Sequence, residues 1–497
     1  MIEKPLEIEE WIVEKDISAL QTAMQEGIVS SEDLVQACLQ RIRKYDRKIN
    51  SVLEINPDAI EMARSLDEER QAKGSRGPLH GIPILLKDNI DTHDKMHTSA
   101  GSLALAESIA PEDSFVAAQL RAAGAVLLGK ANMTEWANYM SSTMWSGYSS
   151  RGGLVLNPYG PGELFIGGSS SGSGASIAAN LAVAAIGTET SGSIISPASQ
   201  NFLVGIKPTI GLVSRSGIIP ITHSQDSAGP MARTVADAAI ILGALTGVDE
   251  RDPATLSSVG RSYRDYSQFL DASFLQQARI GIPRFYYKDL DEARLAIVEE
   301  AIRTLKEKGA TIVDPVQLPF CENTEWDWEV LRYEFKKNLN DYLAGLPEAV
   351  PVHSLADVIA FNERYAERAL KYGQDILIRS EETSGTLTEQ EYLDSKTKNI
   401  EISRSQGIDH VLQAHQLDAL LFLGNEEGAD LAARAGYPVI TVPGGYAATG
   451  VISEDGRTSK GPQGITFVGT EYSEPTLIKI AYGFEQATKH RFPPKLD

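Results

Sequence analysis

Cysteine is nearly missing from this chain: Cys38 and Cys321 are the only two among 497 residues. Two thiols cannot build a disulfide framework, so free thiols in a reducing compartment are expected. Basic charge is also in short supply. Lys and Arg number 46 against 67 Asp and Glu, a formal net charge of −21. Nucleic acid needs a Lys/Arg surplus on some face, and an anionic membrane surface needs the same, so neither partner is expected. The acidic balance reads as solubility. Long apolar runs are absent too. No window holds the ~18 uninterrupted apolar residues of a membrane span, and the longest small-apolar stretch, 178–186, is broken by Asn180. Met1-Ile2-Glu3-Lys4-Pro5 has no basic start leading into an apolar core, so no signal peptide is expected and a cytoplasmic location is the default.

Metal and phosphate signatures are missing as well. There is no G-x-x-x-x-G-K-[ST] cradle for phosphate. His93 and His97 stand four apart, but nothing resembles H-E-x-x-H. The sequence therefore points to no metal and no cofactor.

What the chain does have is glycine and serine, concentrated twice. Gly167-Gly-Ser-Ser-Ser-Gly-Ser-Gly174 is followed, one short helix-length later, by Gly187-Thr-Glu-Thr-Ser-Gly-Ser193. Glycine lets a backbone turn sharply and lets a ligand approach closely. Serine supplies a nucleophile or a proton relay. Two such stretches around a small-residue helix, preceded by a lysine on an apolar strand, suggest a hydrolase that uses serine without histidine.

The surrounding pattern alternates strand and helix, which implies one large α/β domain. The first 75 residues read as helices, with Ser30-Ser31-Glu32-Asp33 as a cap. Gly81-Ile-Pro-Ile-Leu-Leu-Lys87 is a nearly continuous apolar run, as expected for a strand buried on both faces. A helix over Phe115 to Ala123 leads through Gly124 to a strand at Ala125-Val-Leu-Leu-Gly129. Ala175 to Ala185 reads as a helix packed through alanines, with a strand starting within 183–188. A further helix covers Ala236 to Leu245, and Ile280-Gly-Ile-Pro283 reads as a strand. Residues 285–415 are mainly helical, charged and aromatic, a place where specificity could reside. Ala419-Leu-Leu-Phe-Leu423 and Pro438-Val-Ile-Thr-Val442 close the chain as strands.

Each candidate for chemistry has two readings. Ser193 is either a serine in a glycine-rich turn, or a nucleophile beside backbone N–H groups that hold an oxyanion. Lys87 either reaches outward or pairs with Asp88, or it is buried, with a lowered pKa and a neutral amine that acts as base. Gly168-Ser-Ser-Ser-Gly172 satisfies G-x-S-x-G, the elbow of α/β-hydrolases, with Ser170 as nucleophile of an esterase. That fold also needs a histidine. His223, His353, His410, His415 and His490 are available, and none has a distinctive setting.

Taken together, these pieces resemble the amidase signature family of serine hydrolases. The first glycine–serine stretch resembles its signature, and Gly187-Thr-Glu-Thr-Ser-Gly-Ser-Ile194 its nucleophile segment, at the family's separation. Gly81-Ile-Pro-Ile-Leu-Leu-Lys-Asp88 is similar to its lysine strand. Ile206-Lys-Pro-Thr209, Asp226-Ser-Ala-Gly-Pro230, the stretch from Ala435 to Pro443 and Phe484-Glu-Gln-Ala-Thr488 are similar to later blocks. The likeness runs from about residue 16 to 494.

The resemblance implies a single domain over 1–497, with a central mixed β-sheet covered by helices on both faces. Within it fall N-terminal helices (1–75), a catalytic core (about 76–250), a helical elaboration (about 285–415) and a C-terminal return to the core (about 416–497). It implies Ser193 as nucleophile, Ser169 as a bridging serine after a cis bond from Gly168, and Lys87 as base. The N–H groups of Thr190, Ser191, Gly192 and Ser193 would form the oxyanion hole, with Thr188 and Asp226 supporting them. The implied activity is hydrolysis of a small-molecule or peptide amide through an acyl-enzyme, with C-terminal peptide amides among the candidates. The alternatives are the glutaminase subunit of a tRNA-dependent amidotransferase, and a binding protein that kept the fold. Oligomeric state is not legible.

The chain also departs from the family pattern. Glu189 stands where the family usually has Asp, Ser191 at its first glycine, and Ile195 at its arginine. The Glu-Thr-x-Gly-Ser form resembles the peptide amidase branch, as do Glu135-Trp-Ala-Asn138 and Ser354-Leu-Ala-Asp-Val-Ile-Ala-Phe-Asn362. That branch usually has Asp at the position of Ser191. An uncharged hydroxyl there is expected to alter substrate selectivity more than catalysis.

Overall fold

The computed structural model describes residues 5–426, 428–453 and 455–496. Met1 to Lys4, which bear on the expected absence of a signal peptide, lie outside the described residues. One mixed sheet organises the molecule. Its strands are β1 (Val52–Ile55), β2 (Pro83–Lys87), β3 (Val126–Ala131), β6 (Ala184–Glu189), β7 (Val204–Lys207), β8 (Ser227–Ala232), β9 (Arg279–Gly281), β10 (Thr311–Val313), β11 (Ala419–Leu423), β12 (Val439–Ala447) and β13 (Gly461–Val468). Tyr148–Ser149 and Gly153–Leu154 form a separate two-stranded ribbon, β4 and β5. The order across the sheet is β1-β3-β2-β6-β8-β7-β12-β13-β11-β9-β10. At its centre β2 lies parallel to both β3 and β6, and β6 lies antiparallel to β8.

Every residue of β2, β3, β6, β7, β8, β11 and β13 is buried. Such strands are covered on both faces, as the apolar run before Lys87 predicts. The helix Ser31–Ile49 begins where expected. Ser30 and Asp33 form a reciprocal capping box there.

The small-residue helix is shorter than its sequence suggests, spanning Ser171–Ala178. Asn180 ends it in the left-handed conformation (φ 57°), which asparagine tolerates. Its carboxamide is held on both sides by Glu14: Oδ1 accepts from the Glu14 amide at 2.9 Å and Nδ2 donates to Glu14 Oε1 at 2.8 Å. All eight helix residues are buried. A Cβ at Gly172 would lie 2.3 Å from the carbonyl oxygens of both Ser51 and Asn132. Gly172→Ala should therefore lower stability by about 3 kcal/mol, seen as a lower denaturant midpoint; an unchanged midpoint would refute this packing.

Five strands of the main sheet escape a sequence reading, among them β7, a short run of four residues. β1 interrupts the run assigned to helices in residues 1–75, directly after Asn50 ends the preceding helix in the left-handed region (φ 59°). β10 lies inside the stretch read as mainly helical. β13 pairs with both β11 and β12 although no apolar run announces it. β8 is Ser-Ala-Gly-Pro-Met-Ala, a composition poor in strand formers. Its Gly229 is required by contact, because a Cβ there would sit 1.9 Å from the Ile206 carbonyl oxygen.

Helices between residues 329 and 381 carry a second apolar cluster, including Val330, Phe335, Leu339, Leu343, Leu355 and Val358. Among the described residues, no helix is long and apolar enough to cross a membrane. No group of three or more His, Cys, Asp or Glu among them could hold a metal ion. His93 and His97 turn to different partners, the Ala110 carbonyl and the Glu54 carboxylate. Both cysteines are free and buried, and burial pushes each thiol up to about 12.

Candidate active site

The carboxyl ends of the parallel strands β2 and β6 deliver Lys87 and Thr188 side by side. Leu86 is the register partner of Ile186, so the two strands reach the sheet edge together. Crevices at this edge are where open α/β sheets bind ligands. Lys87 is fully buried. Its Nζ has three partners: Ser169 Oγ at 2.7 Å, Thr188 Oγ1 at 2.9 Å and the Thr188 carbonyl oxygen at 3.2 Å. None is a carboxylate. Burial lowers the lysine from 10.5 to about 7, against a weaker pull upward from the charges of Asp226 and Glu189.

The expected alternative, a Lys87–Asp88 pair, does not form. Neighbouring residues on an extended chain point to opposite sides. Asp88 instead accepts from Ser99 Oγ, the Gly101 amide and Arg151.

The first glycine–serine stretch supplies Ser169, fully buried after the cis peptide Gly168–Ser169. Ser170 lies beside it and is tied down. Its Oγ donates to the Thr188 carbonyl at 3.1 Å and accepts from the Thr188 amide at 3.2 Å. Ser170 is fully buried, with no histidine among its hydrogen-bond partners. The G-x-S-x-G reading is thereby corrected: this serine joins the small-residue helix to β6 and has no free approach to the cavity.

The second stretch forms a loop from 189 to 195, pinned on several sides, including by the Gln225 side chain at the Thr190 carbonyl. Glu189 Oε2 accepts from the amides of Ile194 (2.8 Å) and Ile195 (3.0 Å). Thr190 Oγ1 donates to Asp226 Oδ1 at 2.5 Å. Ser191 Oγ donates to Asp430 Oδ1 at 2.9 Å. The Ser193 carbonyl accepts from the Ser170 amide at 3.1 Å, which joins the two stretches. At Gly192 the left-handed backbone (φ 79°) favours glycine, and a Cβ there would push the Asn425 carboxamide, 2.3 Å away, aside.

Among the described residues, the amides of Thr190, Ser191, Gly192 and Ser193 donate no hydrogen bond. They remain free for a ligand oxygen. Asp226 fixes the far side of the loop. It takes Thr190 on one oxygen and the amides of Ile221 and Thr222 on the other, and burial lifts it to about 6.

A cavity of about 890 Å³ opens over this loop, lined by Ser193 together with Gly168, Thr190 and Ser191. Ser193 is 8 % exposed, and among the described residues its Oγ makes no hydrogen bond. Lys87, Ser169 and Thr188 therefore meet by direct hydrogen bonds, and Ser193 lines the cavity. The opposite wall comes from the helical region, with Asp327, Trp328, Glu329, Arg332 and Arg379, and from Asp430.

Sequence reasoning missed Asp430, Arg434 and Asn89. Asp430 sits 239 residues from Ser191, so no local signal could find it. A carboxylate thus faces the loop at Ser191 after all, brought from another part of the chain. It is compensated by Arg434, whose Nε donates to Asp430 Oδ2 at 2.9 Å and whose guanidinium stacks on Trp326 and Trp328.

Comparison with known proteins agrees with this architecture. The Amidase family model matches residues 33–423. A probable amidase of Arabidopsis thaliana is 42% identical, with 97% of this chain and 92% of that protein covered. The crystal structure of native peptide amidase from Stenotrophomonas maltophilia superposes with a TM-score of 0.88 at 43% identity, covering 98% of this chain and 99% of that one. The A chain of the glutamyl-tRNA(Gln) amidotransferase of Halorhodospira halophila is 34% identical over 96% of this chain and 97% of its own. With the fold, the glycine–serine stretches and these likenesses in agreement, the chain belongs to the amidase family.

Proposed function

We propose that this protein hydrolyses carboxylic amides to the acid and ammonia or an amine, with Ser193 as nucleophile, Ser169 as relay and Lys87 as base. The observation that carries the reading is the buried Lys87 amine, bonded to Ser169 and to no carboxylate. In the neutral form its lone pair accepts the Ser169 proton while Ser169 Oγ accepts the proton of Ser193. Ser193 Oγ then bonds to the amide carbon, and the oxygen becomes an oxyanion facing the loop amides. The C–N bond breaks as the relay runs backward and protonates the leaving nitrogen. Water enters, gives its proton to the relay and cleaves the ester, restoring Ser193. Thr188 and Asp226 hold the base and the oxyanion loop.

C-terminal peptide amides are the preferred substrate class. The cavity lies in the 300–1,000 Å³ range typical of sites for sizeable ligands. The likeness to a peptide amidase extends over the whole chain. Ammonia release should be faster from blocked dipeptide amides than from acetamide or free glutamine, by about 10-fold or more in kcat/KM. A preference for acetamide would refute the assignment of the cavity.

One observation favours glutamine instead. Arg379 lines the cavity and, among the described residues, has no hydrogen bond or ion pair, so it could receive an α-carboxylate while Asp430 faces an α-ammonium. Glutaminase activity that depends on a co-purifying partner would establish that reading.

A further inference from the structure

Asn89 lies two residues beyond the end of β2 and is 2% exposed. Its Nδ2 donates to Thr188 Oγ1 at 3.0 Å, with a longer contact of 3.5 Å to the Ile219 carbonyl. Thr188 Oγ1 is also the atom that meets Lys87 Nζ at 2.9 Å. A hydroxyl oxygen has two lone pairs and one hydrogen. With Asn89 on one lone pair and Lys87 on the other, the hydroxyl is an acceptor toward both.

That arrangement decides which way the lysine faces. A neutral lysine amine has two hydrogens and one lone pair, and Nζ has three partners here. The carbonyl and hydroxyl oxygens of Thr188 take the two hydrogens, which leaves the lone pair for Ser169. A Thr188 hydroxyl free to rotate could place its own hydrogen on that lone pair and occupy the base. Turning the Asn89 amide over gives the same result, because Oδ1 would then accept the Thr188 hydrogen and keep it from Lys87.

The remaining valences also match. Asn89 Oδ1 is buried with no protein partner among the described residues. Asn89, Thr188 and Asp226 line a cavity of about 10 Å³, room for one water. A water there would accept the Thr188 hydrogen and donate to Asn89 Oδ1.

We propose that Asn89 is a positioning residue for amide hydrolysis: it holds the Thr188 hydroxyl as an acceptor toward Lys87, so that the lysine lone pair is left to Ser169. This rests on Lys87 being the base. The test is a double-mutant cycle on Asn89→Leu and Thr188→Val, measured as kcat and KM for one amide. Asn89→Leu is expected to lower kcat about 10- to 100-fold with KM little changed. In the Thr188→Val background the same change should cost less than about 2-fold, because the hydroxyl it controls is gone.

Equal losses in both backgrounds, a loss confined to KM, or no loss would overturn the proposal. Asn89→Asp covers the case in which Asn89→Leu does not fold. Its carboxylate accepts the Thr188 hydrogen, so kcat should fall less than about 10-fold while the acid limb of the pH–rate profile moves upward; a larger fall with no movement of the limb counts against the role. Lys87→Met separates the two ideas. If it stays active, the base assignment fails; if it is inactive while Asn89→Leu is normal, only the role of Asn89 fails.

Discussion

Ser193→Ala should reduce ammonia release from any amide substrate by at least about 10³-fold. The expectation follows from the surroundings of this one hydroxyl. Ser193 lines the large cavity, and the amides of Thr190, Ser191 and Gly192 make no hydrogen bond among the described residues, which in the proposed mechanism leaves them for an oxyanion. Removing the hydroxyl leaves that cradle intact, so substrate should still bind. The fall should therefore appear in kcat, with KM within a few-fold of native. A fluorophosphonate probe should label the native protein and not the variant. It should still label Ser170→Ala, because Ser170 Oγ is taken up by the Thr188 backbone. Equal activity in native and Ser193→Ala protein would remove the acyl-enzyme reading. Failure of the native protein to be labelled or to hydrolyse any amide would leave a binding protein on this fold.

Lys87→Met should be as damaging to catalysis, by about 10³-fold or more, and it should have a second, opposite effect. Native kcat/KM should depend on a neutral Lys87. With the amine near 7, activity falls about tenfold per pH unit below that value and levels off above it. The same shift acts on stability. Lys87 titrates near 10.5 when unfolded and about 7 when folded, so the unfolded chain binds the extra proton between those values. Through this group, stability rises with pH across that window, and the full penalty is present below pH 7. Methionine fills a similar volume without a charge to bury. The variant should therefore melt at a higher temperature than native protein at pH 6, and the gap should narrow toward pH 10. Scanning calorimetry at the two pH values measures it. A variant that melts lower at pH 6 would show that the hydrogen bonds of Lys87 outweigh its desolvation.

How much of this was legible in the sequence depended on whether the signal was local. β2 could be read because the buried positions Pro83 to Leu86 leave an apolar run ahead of Lys87. Both glycine–serine stretches could be read because their backbones need glycine at fixed places, as Gly172 and Gly192 show. Lys87 could be located, and its setting could not. Whether it pairs with Asp88 or turns inward depends on β6 and on Ser169, 82 residues away. β8 stayed hidden because its middle is shaped by the close approach of the Ile206 carbonyl, a contact that favours small residues over strand formers. Asp430 and Asn89 had no signature either. Asp430 acts across the fold. Asn89 is, along the chain, one more polar residue after Asp88, and it gains meaning only when Thr188 arrives beside it.

The helical layer between residues 329 and 381 has a consequence for how such a protein can diversify. Its apolar cluster includes Phe335, Leu339 and Val358, whereas Lys87, Thr188 and the 189–195 loop are carried by the sheet. Asp327, Trp328, Glu329, Arg332 and Arg379, which line the cavity, belong to or border that layer. Cavity-lining positions of the layer can be changed without touching Lys87, Ser169 or Ser193, provided Glu334, which ties the layer to Thr222 and Ser224, is kept. Laboratory evolution confined to those positions should shift substrate range while leaving the pH–rate profile of the native protein in place, and selection on descendants of this chain would find the same path open.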